Sequence, residues 1–232
     1  MLQQTQVGRV IVAFERFLTT YPTPVDFAAA TPAAVVEAWG GLGYLRRARN
    51  LHAAATVIAT DGWPADLEEL PGAGPYTAAA IAAFADDRRV AAVDVNLRRV
   101  LSRWEGSVLA EREARALGND LVDRTRPGDW NQAMMDLGAV LCRPRFPRCD
   151  HCPVADWCRD PSIELPSRSQ GRFEGSIRQA RAATLKLLVS GPLTLDQLEA
   201  ASGLDRATIA AASDALERER ALDRQGGLLR LV

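Results

Sequence analysis

Every cysteine of this chain falls in one stretch, CRPRFPRCDHCPVADWC, between Cys142 and Cys158. The thiols are Cys142, Cys149, Cys152 and Cys158, spaced C-x6-C-x2-C-x5-C. Buried or disulfide-bonded cysteines are the plainest reading of such residues. Disulfides are disfavoured in a cytoplasmic chain, however, and four thiols crowded into one short loop point to a metal. Zinc sites of four cysteines usually show two C-x2-C knuckles separated by a longer insert. Here a single C-x2-C is flanked by unequal arms. Iron–sulfur clusters take four thiolates from compact loops of this kind, although the spacing differs from the ferredoxin runs. The spacing therefore favours iron–sulfur and leaves zinc open. With four thiolates present, His151 reads as a bystander. The first arm displays Arg143, Arg145 and Arg148 between the thiols. Three guanidiniums on a loop are either a solvated surface or a phosphate contact.

Around this loop the pattern is helical almost everywhere, and strand-like alternation is scarce. VGRVIVAFERFLTTYP puts Val10, Phe14, Phe17 and Leu18 on one face and stops before Pro22. TPAAVVEAWGG opens on a threonine cap with proline at the first helical position and stops at glycine. YLRRARNLHAAATVIATDG ends at Gly62, and TAAAIAAFADD, VNLRRVLSRW, EREARALGNDLVDRT and DWNQAMMDLGAVLC follow. The fold class is all-α. PSIELPSRSQGRFEG breaks the pattern as a linker. After it come three helical segments and ALDRQGGLLRLV, where Gly226 and Gly227 join two short strand candidates. Three helices and a hairpin are winged-helix-like, suited equally to docking or to nucleic-acid contact. The expected organisation is a helical domain over 1–141, the cysteine loop over 142–160, a linker over 161–175 and a winged-helix-like domain over 176–232.

At 232 residues the chain can bury a sizeable core. Its formal net charge of −1 excludes a global basic field, so any nucleic-acid binding must come from local patches. No run approaches the length of a membrane span, and no secretory leader pattern is visible. These features predict a soluble cytoplasmic protein without a membrane partner. The basic residues are almost all arginine. Lys186 is the single lysine, so no earlier lysine can form a Schiff base.

The second informative stretch is LEELPGAGPYTAAAIAAF. Gly72 and Gly74 allow a tight turn with exposed amides at a helix N-terminus, which is an anion site suited to a DNA phosphate. Any helix–turn–helix could use such a turn. In AAVDVNLRRVLSR, Asp94 precedes a helix and should cap it near Asn96 and Leu97. A carboxylate fixed there, facing a pocket, could also stabilise positive charge on a sugar ring. Arg98, Arg99 and Arg103 follow at helical spacing, as a phosphate-facing stripe or plain surface.

Together MLQQTQV, GLGY, RARNLH, LPGAGPYTA, VDVNLRRVL, NQAMMDLGA and the cysteine spacing resemble the helix-hairpin-helix DNA glycosylases that carry a 4Fe–4S cluster. The resemblance covers roughly residues 1–160 and is strongest to the adenine DNA glycosylase (MutY) type. It implies base-excision repair of double-stranded DNA holding adenine opposite 8-oxoguanine or guanine, by a monomeric, nucleoid-associated enzyme. It implies that Cys142, Cys149, Cys152 and Cys158 hold the cluster and that Arg143, Arg145 and Arg148 face DNA. Asp94 is implied beneath the deoxyribose of the everted nucleotide, supported by the phenol of Tyr76. Gln132 would read the adenine edge. Gln3 and Gln4 would wedge beside the lesion, Tyr44 would intercalate, and Gly72 and Gly74 would hold the backbone. The sister endonuclease III family carries a lyase lysine two residues after the second hairpin glycine. Tyr76 stands there, which implies a glycosylase without a Schiff-base step.

Two departures follow from the same resemblance. In the family MLQQT is preceded by Ser-Glu-Val, and that glutamate is the general acid. It would lie two residues before Met1. The expectation is a late-assigned start, with this chain binding DNA but turning over about a hundredfold to ten-thousandfold more slowly than an extended one. Many members also carry a Nudix-like domain that reads 8-oxoguanine, whereas residues 176–232 look like a winged helix instead. The rival readings are an endonuclease III-like glycosylase and a non-catalytic iron–sulfur DNA-binding protein.

Overall fold

A computed structural model describes residues 1–3, 5–40, 42–166 and 171–232. It divides into two compact units. One comprises Met1–Pro64, Leu70–Gly72 and Gln170–Val232; the other comprises Ala65–Glu69 and Ala73–Ser169. Gln4, named above as a wedge residue, lies outside the described residues.

The first unit begins with α1 (Val7–Thr20), α2 (Pro24–Ala28), α3 (Pro32–Ala38) and α4 (Arg46–Asp61). Local chemistry sets the boundaries. Thr23 and Asp26 form a reciprocal capping box at α2, and Thr31 Oγ1 accepts from the Ala34 amide at α3. Gly62, at φ +82°, ends α4. Val10, Ala13, Phe27, Val35, Trp39, Leu42, Ala48 and Ala55 form the core here. The face expected for α1 is only half correct. Val10 is buried and Phe17 packs against the core, but Phe14 and Leu18 remain exposed. Ala13 takes an inward position instead.

The same unit contains the C-terminal elements: α9 (Ile177–Leu188), β1 (Leu193–Thr194), α10 (Leu195–Ser202), α11 (Arg206–Arg218), β2 (Leu222–Gln225) and β3 (Leu228–Leu231). The antiparallel sheet has the order β1-β3-β2. Leu193 pairs with Leu229, and Leu222 pairs with Leu231. The short β1 was not legible in the sequence; two residues are too few to show alternation. Leu185, Leu188, Leu198, Ile209, Leu216, Leu222 and Leu229 fill a separate core.

The second unit holds α5 (Pro75–Phe84), α6 (Val95–Glu105), α7 (Glu111–Leu121) and α8 (Pro127–Asp136). A π-helical turn over Leu137–Leu141 continues α8 into the cysteine loop. Leu97, Val100, Leu101, Ala114, Met134 and Leu137 form its core. No helix among the described residues is long and apolar enough to cross a membrane.

Candidate active site

Asp94 is the N-cap of α6. Its Oδ1 accepts from the backbone amides of Asn96 at 2.9 Å and Leu97 at 2.7 Å. Its Oδ2 accepts from Asn96 Nδ2 at 2.8 Å. The half-buried carboxylate is thus held in one orientation by the start of its own helix. Tyr76, in the first turn of α5, lies within electrostatic reach of it. Burial raises the Tyr76 pKa, and the negative charge of Asp94 raises it further. The phenol therefore keeps its proton at neutral pH and remains a hydrogen-bond donor.

Behind Asp94 lies a polar network that sequence periodicity did not reveal. Asn96 Oδ1 accepts from Arg99 Nη1 at 3.1 Å. Arg99 also donates from Nε to the Cys142 carbonyl at 2.9 Å and from Nη2 to the Gly138 carbonyl at 2.7 Å. One turn on, Arg103 donates to Cys142 Sγ at 3.2 Å and to the carbonyls of Arg143, Pro144 and Ile163. Arg99 is 3% exposed and Arg103 1%. Neither is surface or phosphate-facing, which corrects the expectation of a stripe. A helical face shows which residues point together; only the packing partner shows whether they meet water. The close approach is possible because Gly138 has no Cβ; a built one would lie 3.0 Å from Asn96 Cβ.

All four cysteines are free of disulfides. Together with Arg103, Trp104, Leu141 and Pro147 they line one cavity of about 80 Å³. Burial raises the Cys158 thiol pKa, and Cys142, Cys149 and Cys152 push it up further, against the pull of Arg103. Among the described residues, no three His, Cys, Asp or Glu side chains close around a single metal ion. In the first arm Arg143 is half-buried and donates to the Phe146 carbonyl at 3.4 Å, while Arg145 and Arg148 are exposed. Phe146 stands between them, 85% exposed and at φ +53°.

Gln132 is exposed on α8 and donates to Asp136 Oδ1 at 2.9 Å. Its neighbour Asn131 is the structural residue of that stretch. Fully buried, Asn131 accepts from the Ala92 amide at 2.7 Å and donates to the Val90 carbonyl at 2.9 Å, anchoring the segment that leads into Asp94. The two hairpin glycines differ. Gly72 has φ +83°, and a Cβ there would meet Asn50 Cβ at 2.7 Å. Gly74 is the N-cap of α5 with ordinary φ, and a Cβ there would meet open space. The first is required by fold geometry, and the second leaves its helix start open to a ligand.

In the first unit one arginine gathers the remaining predicted residues. Arg47 donates to the carbonyls of Met1 and Gln3, to Thr5 Oγ1 at 2.8 Å, and to the carbonyls of Leu42 and Gly43. Its guanidinium lies 5.3 Å from the Trp39 ring centroid and 5.4 Å from that of Tyr44. Tyr44 is 43% exposed and held at φ +49°. Nothing in the sequence distinguishes Arg47 from Arg46 beside it.

Comparison with known proteins places the chain in a family. The HhH-GPD superfamily base excision DNA repair protein family matches residues 1–122. An adenine DNA glycosylase of Mycobacterium tuberculosis (strain CDC 1551 / Oshkosh) is 39% identical, covering 96% of this chain and 76% of that one. The adenine DNA glycosylase of Mus musculus is 42% identical over 68% of this chain and 33% of its own length. Among solved structures, a thermostable thymine-DNA glycosylase matches with TM-score 0.64 and 28% identity, covering 68% of this chain and 78% of that one. A trapped endonuclease III–DNA covalent intermediate matches in fold with TM-score 0.61 at 24% identity, covering 69% of this chain and 79% of that one. The chain belongs to the HhH-GPD superfamily of base excision DNA repair proteins.

Proposed function

We propose that this protein removes adenine from double-stranded DNA in which the adenine is mispaired with 8-oxoguanine or guanine, as a monofunctional glycosylase. The observation that carries the reading is the carboxylate of Asp94, held in one orientation by the Asn96 and Leu97 amides and by Asn96 Nδ2, in a chain that matches adenine DNA glycosylases over nearly all its length.

A purine inside a duplex is out of reach, so the nucleotide must be turned out of the stack. Cleavage of its N-glycosidic bond builds positive charge on the deoxyribose. Asp94, held by its cap bonds and unable to swing away, stabilises that charge or bonds to the anomeric carbon before water replaces it. Tyr76, within electrostatic reach of the same carboxylate, is the phenol suited to support it. Gln132 presents an amide suited to the adenine edge. Gly74 opens the α5 amides to a phosphate, while Gly72 shapes the turn. Gln3, Gln4 and Tyr44 take the lesion side. With no lysine before Lys186, base release leaves the strand intact.

Cys142, Cys149, Cys152 and Cys158 would hold a 4Fe–4S cluster, a reading supported by the four thiols lining one cavity and by their spacing. The cluster would supply positive charge and cross-link the loop that displays Arg143, Arg145 and Arg148 to DNA. We assign residues 1–141 and 142–160 to the glycosylase and its cluster loop, 161–175 to a linker and 176–232 to a winged-helix-like domain. The protein acts as a monomer, in the cytoplasm, on the nucleoid.

The test is single-turnover release of adenine from an A:8-oxoguanine duplex, with strand breaks scored before and after alkali. Free base with breaks only after alkali is expected. Asp94→Asn retains the helix cap and should slow release about a hundredfold to a thousandfold while duplex binding persists. Strand cleavage without alkali, or an Asp94→Asn variant as fast as the parent, would overturn the assignment.

A further inference from the structure

The C-terminal elements have the order of a winged helix, in which the third helix usually enters DNA. Here that helix, α11, is used differently. The last carbonyls of a helix lack intrahelical donors and carry its negative dipole end. Just past α11 Arg49 of α4 takes two such carbonyls: Nη1 donates to that of the cap residue Glu219 at 2.7 Å and Nη2 to that of Arg220 at 2.8 Å. Glu219 is held by Arg181 through paired bonds of 3.0 and 2.7 Å. Leu45, immediately after Tyr44, packs against both hydrophobic cores of the unit, that of α1–α4 and that of the C-terminal elements.

The surface charge also argues against a reading helix. Arg206, at the start of α11, pairs with Asp196 and Glu199. Arg224 pairs with Asp214 at 2.8 Å and Arg230 with Asp223 at 2.6 Å. A phosphate-binding face needs cations left over after such pairing.

We propose that the C-terminal three-helix element is a brace, not a second DNA reader: through Arg49 and Leu45 it fixes the segment 44–49, and with it the setting of Tyr44 and of the Gln3 loop held by Arg47. This rests on the reading of Tyr44 and Gln3 as lesion contacts given above. Arg49 is a positioning residue, touching no DNA. Its removal frees one end of α4, so that Tyr44 loses its fixed presentation while general phosphate contacts remain.

The experiment measures duplex dissociation constants by fluorescence anisotropy, for A:8-oxoguanine and for fully matched DNA, on the full chain. Melting is followed alongside by circular dichroism. Arg49→Ala should lower the preference for the lesion duplex roughly tenfold, the cost of about one charged hydrogen bond, with matched-duplex affinity unchanged. Arg49→Lys, which keeps the charge and one donor, should recover part of that preference. The double variant Lys186→Glu, Arg218→Glu should change neither affinity nor salt dependence. If Tyr44→Ala lowers the preference but Arg49→Ala, still folded, does not, the brace is refuted and the reading of Tyr44 stands. If Tyr44→Ala has no effect, that reading fails and takes the brace with it. If the double charge reversal weakens binding and reduces the salt slope by about two, the element reads DNA and the brace is refuted.

Discussion

Arginine is used in opposite ways at α6 and in the C-terminal elements. Arg99 and Arg103 are sealed from water, their donors aimed at carbonyls, at Asn96 and at the Cys142 sulfur. Arg206, Arg224 and Arg230 lie at the surface opposite carboxylates. The core beneath them is apolar, and Thr184 Oγ1 and Ser213 Oγ are buried in it without a hydrogen-bond partner. The difference separates function from scaffold. Around α6 a committed polar network fixes the Asp94 carboxylate proposed to be catalytic and ties it to the cysteine loop. In the C-terminal core shape alone suffices.

The sharpest way to break this contrast is Arg103→Met. It strands the carbonyls of Arg143, Pro144 and Ile163 and removes the donor to Cys142. Bonds from charged donors contribute about 1.5–3 kcal/mol each, so a stability loss of at least about 3 kcal/mol is expected in chemical denaturation. If the cysteines hold the proposed cluster, its visible thiolate–iron absorbance should fall with it. An unchanged denaturation midpoint would show that the network is dispensable.

Asn96→Ala tests the link at the proposed catalytic carboxylate. It frees Asp94 Oδ2 and leaves Arg99 one acceptor short. Base release should slow about tenfold to a hundredfold, the kinetic equivalent of one charged hydrogen bond. Circular dichroism should be unchanged, because the cap bonds to the Asn96 and Leu97 amides are retained. Equal rates would mean that those amides alone orient the carboxylate.

Ser213→Ala tests the other side of the contrast. Deleting a buried hydroxyl that has no partner should raise stability by about 1 kcal/mol, read from the thermal midpoint. A loss of similar size would reveal a bond that the packing conceals.

The Tyr76 phenol offers a smaller, signed effect. Its pKa is raised by burial first and by Asp94 second, so tyrosinate absorbance at position 76 should appear above the ordinary phenol range. Asp94→Asn should move that midpoint down but not fully back. A raised pKa means the folded state holds this proton more tightly. The corresponding stability is therefore complete below the unfolded phenol value of about 10 and fades as pH rises through the folded one. A midpoint indifferent to Asp94→Asn would separate the two groups.

Smallest of all, Arg230→Ala removes an exposed pair with Asp223 and should change stability by no more than about 1 kcal/mol, vanishing in high salt.

Much of this architecture was legible before any coordinates. Caps and stops at Thr31, Gly62 and Asp94 follow from side-chain oxygens, φ > 0 and helical periodicity, all local properties. The cysteine spacing singled out the loop, and Tyr76 marked the missing lyase lysine. Other residues were misread for one shared reason. Arg99 and Arg103 read as surface because charge usually stays in water, and nothing local announces carbonyls waiting across the fold. Phe14 and Leu18 read as core because the period identifies a face but not its depth of burial. Asn131 and Arg47 went unremarked because a buried anchor and an idle polar residue look alike in a string of letters.

The sequence by itself determined the helical segments, their ends, the grouping of four thiols and the family to which the chain belongs, since each is written in short-range chemistry or in identities along the chain. Only the tertiary structure decided which arginines are buried, that Asn96 joins Asp94 to the cysteine loop through Arg99, and that Arg49 ties α4 to the end of α11. Those are contacts between residues far apart in the chain, and their energies exist only once folding has excluded water and brought donor and acceptor to about 3 Å.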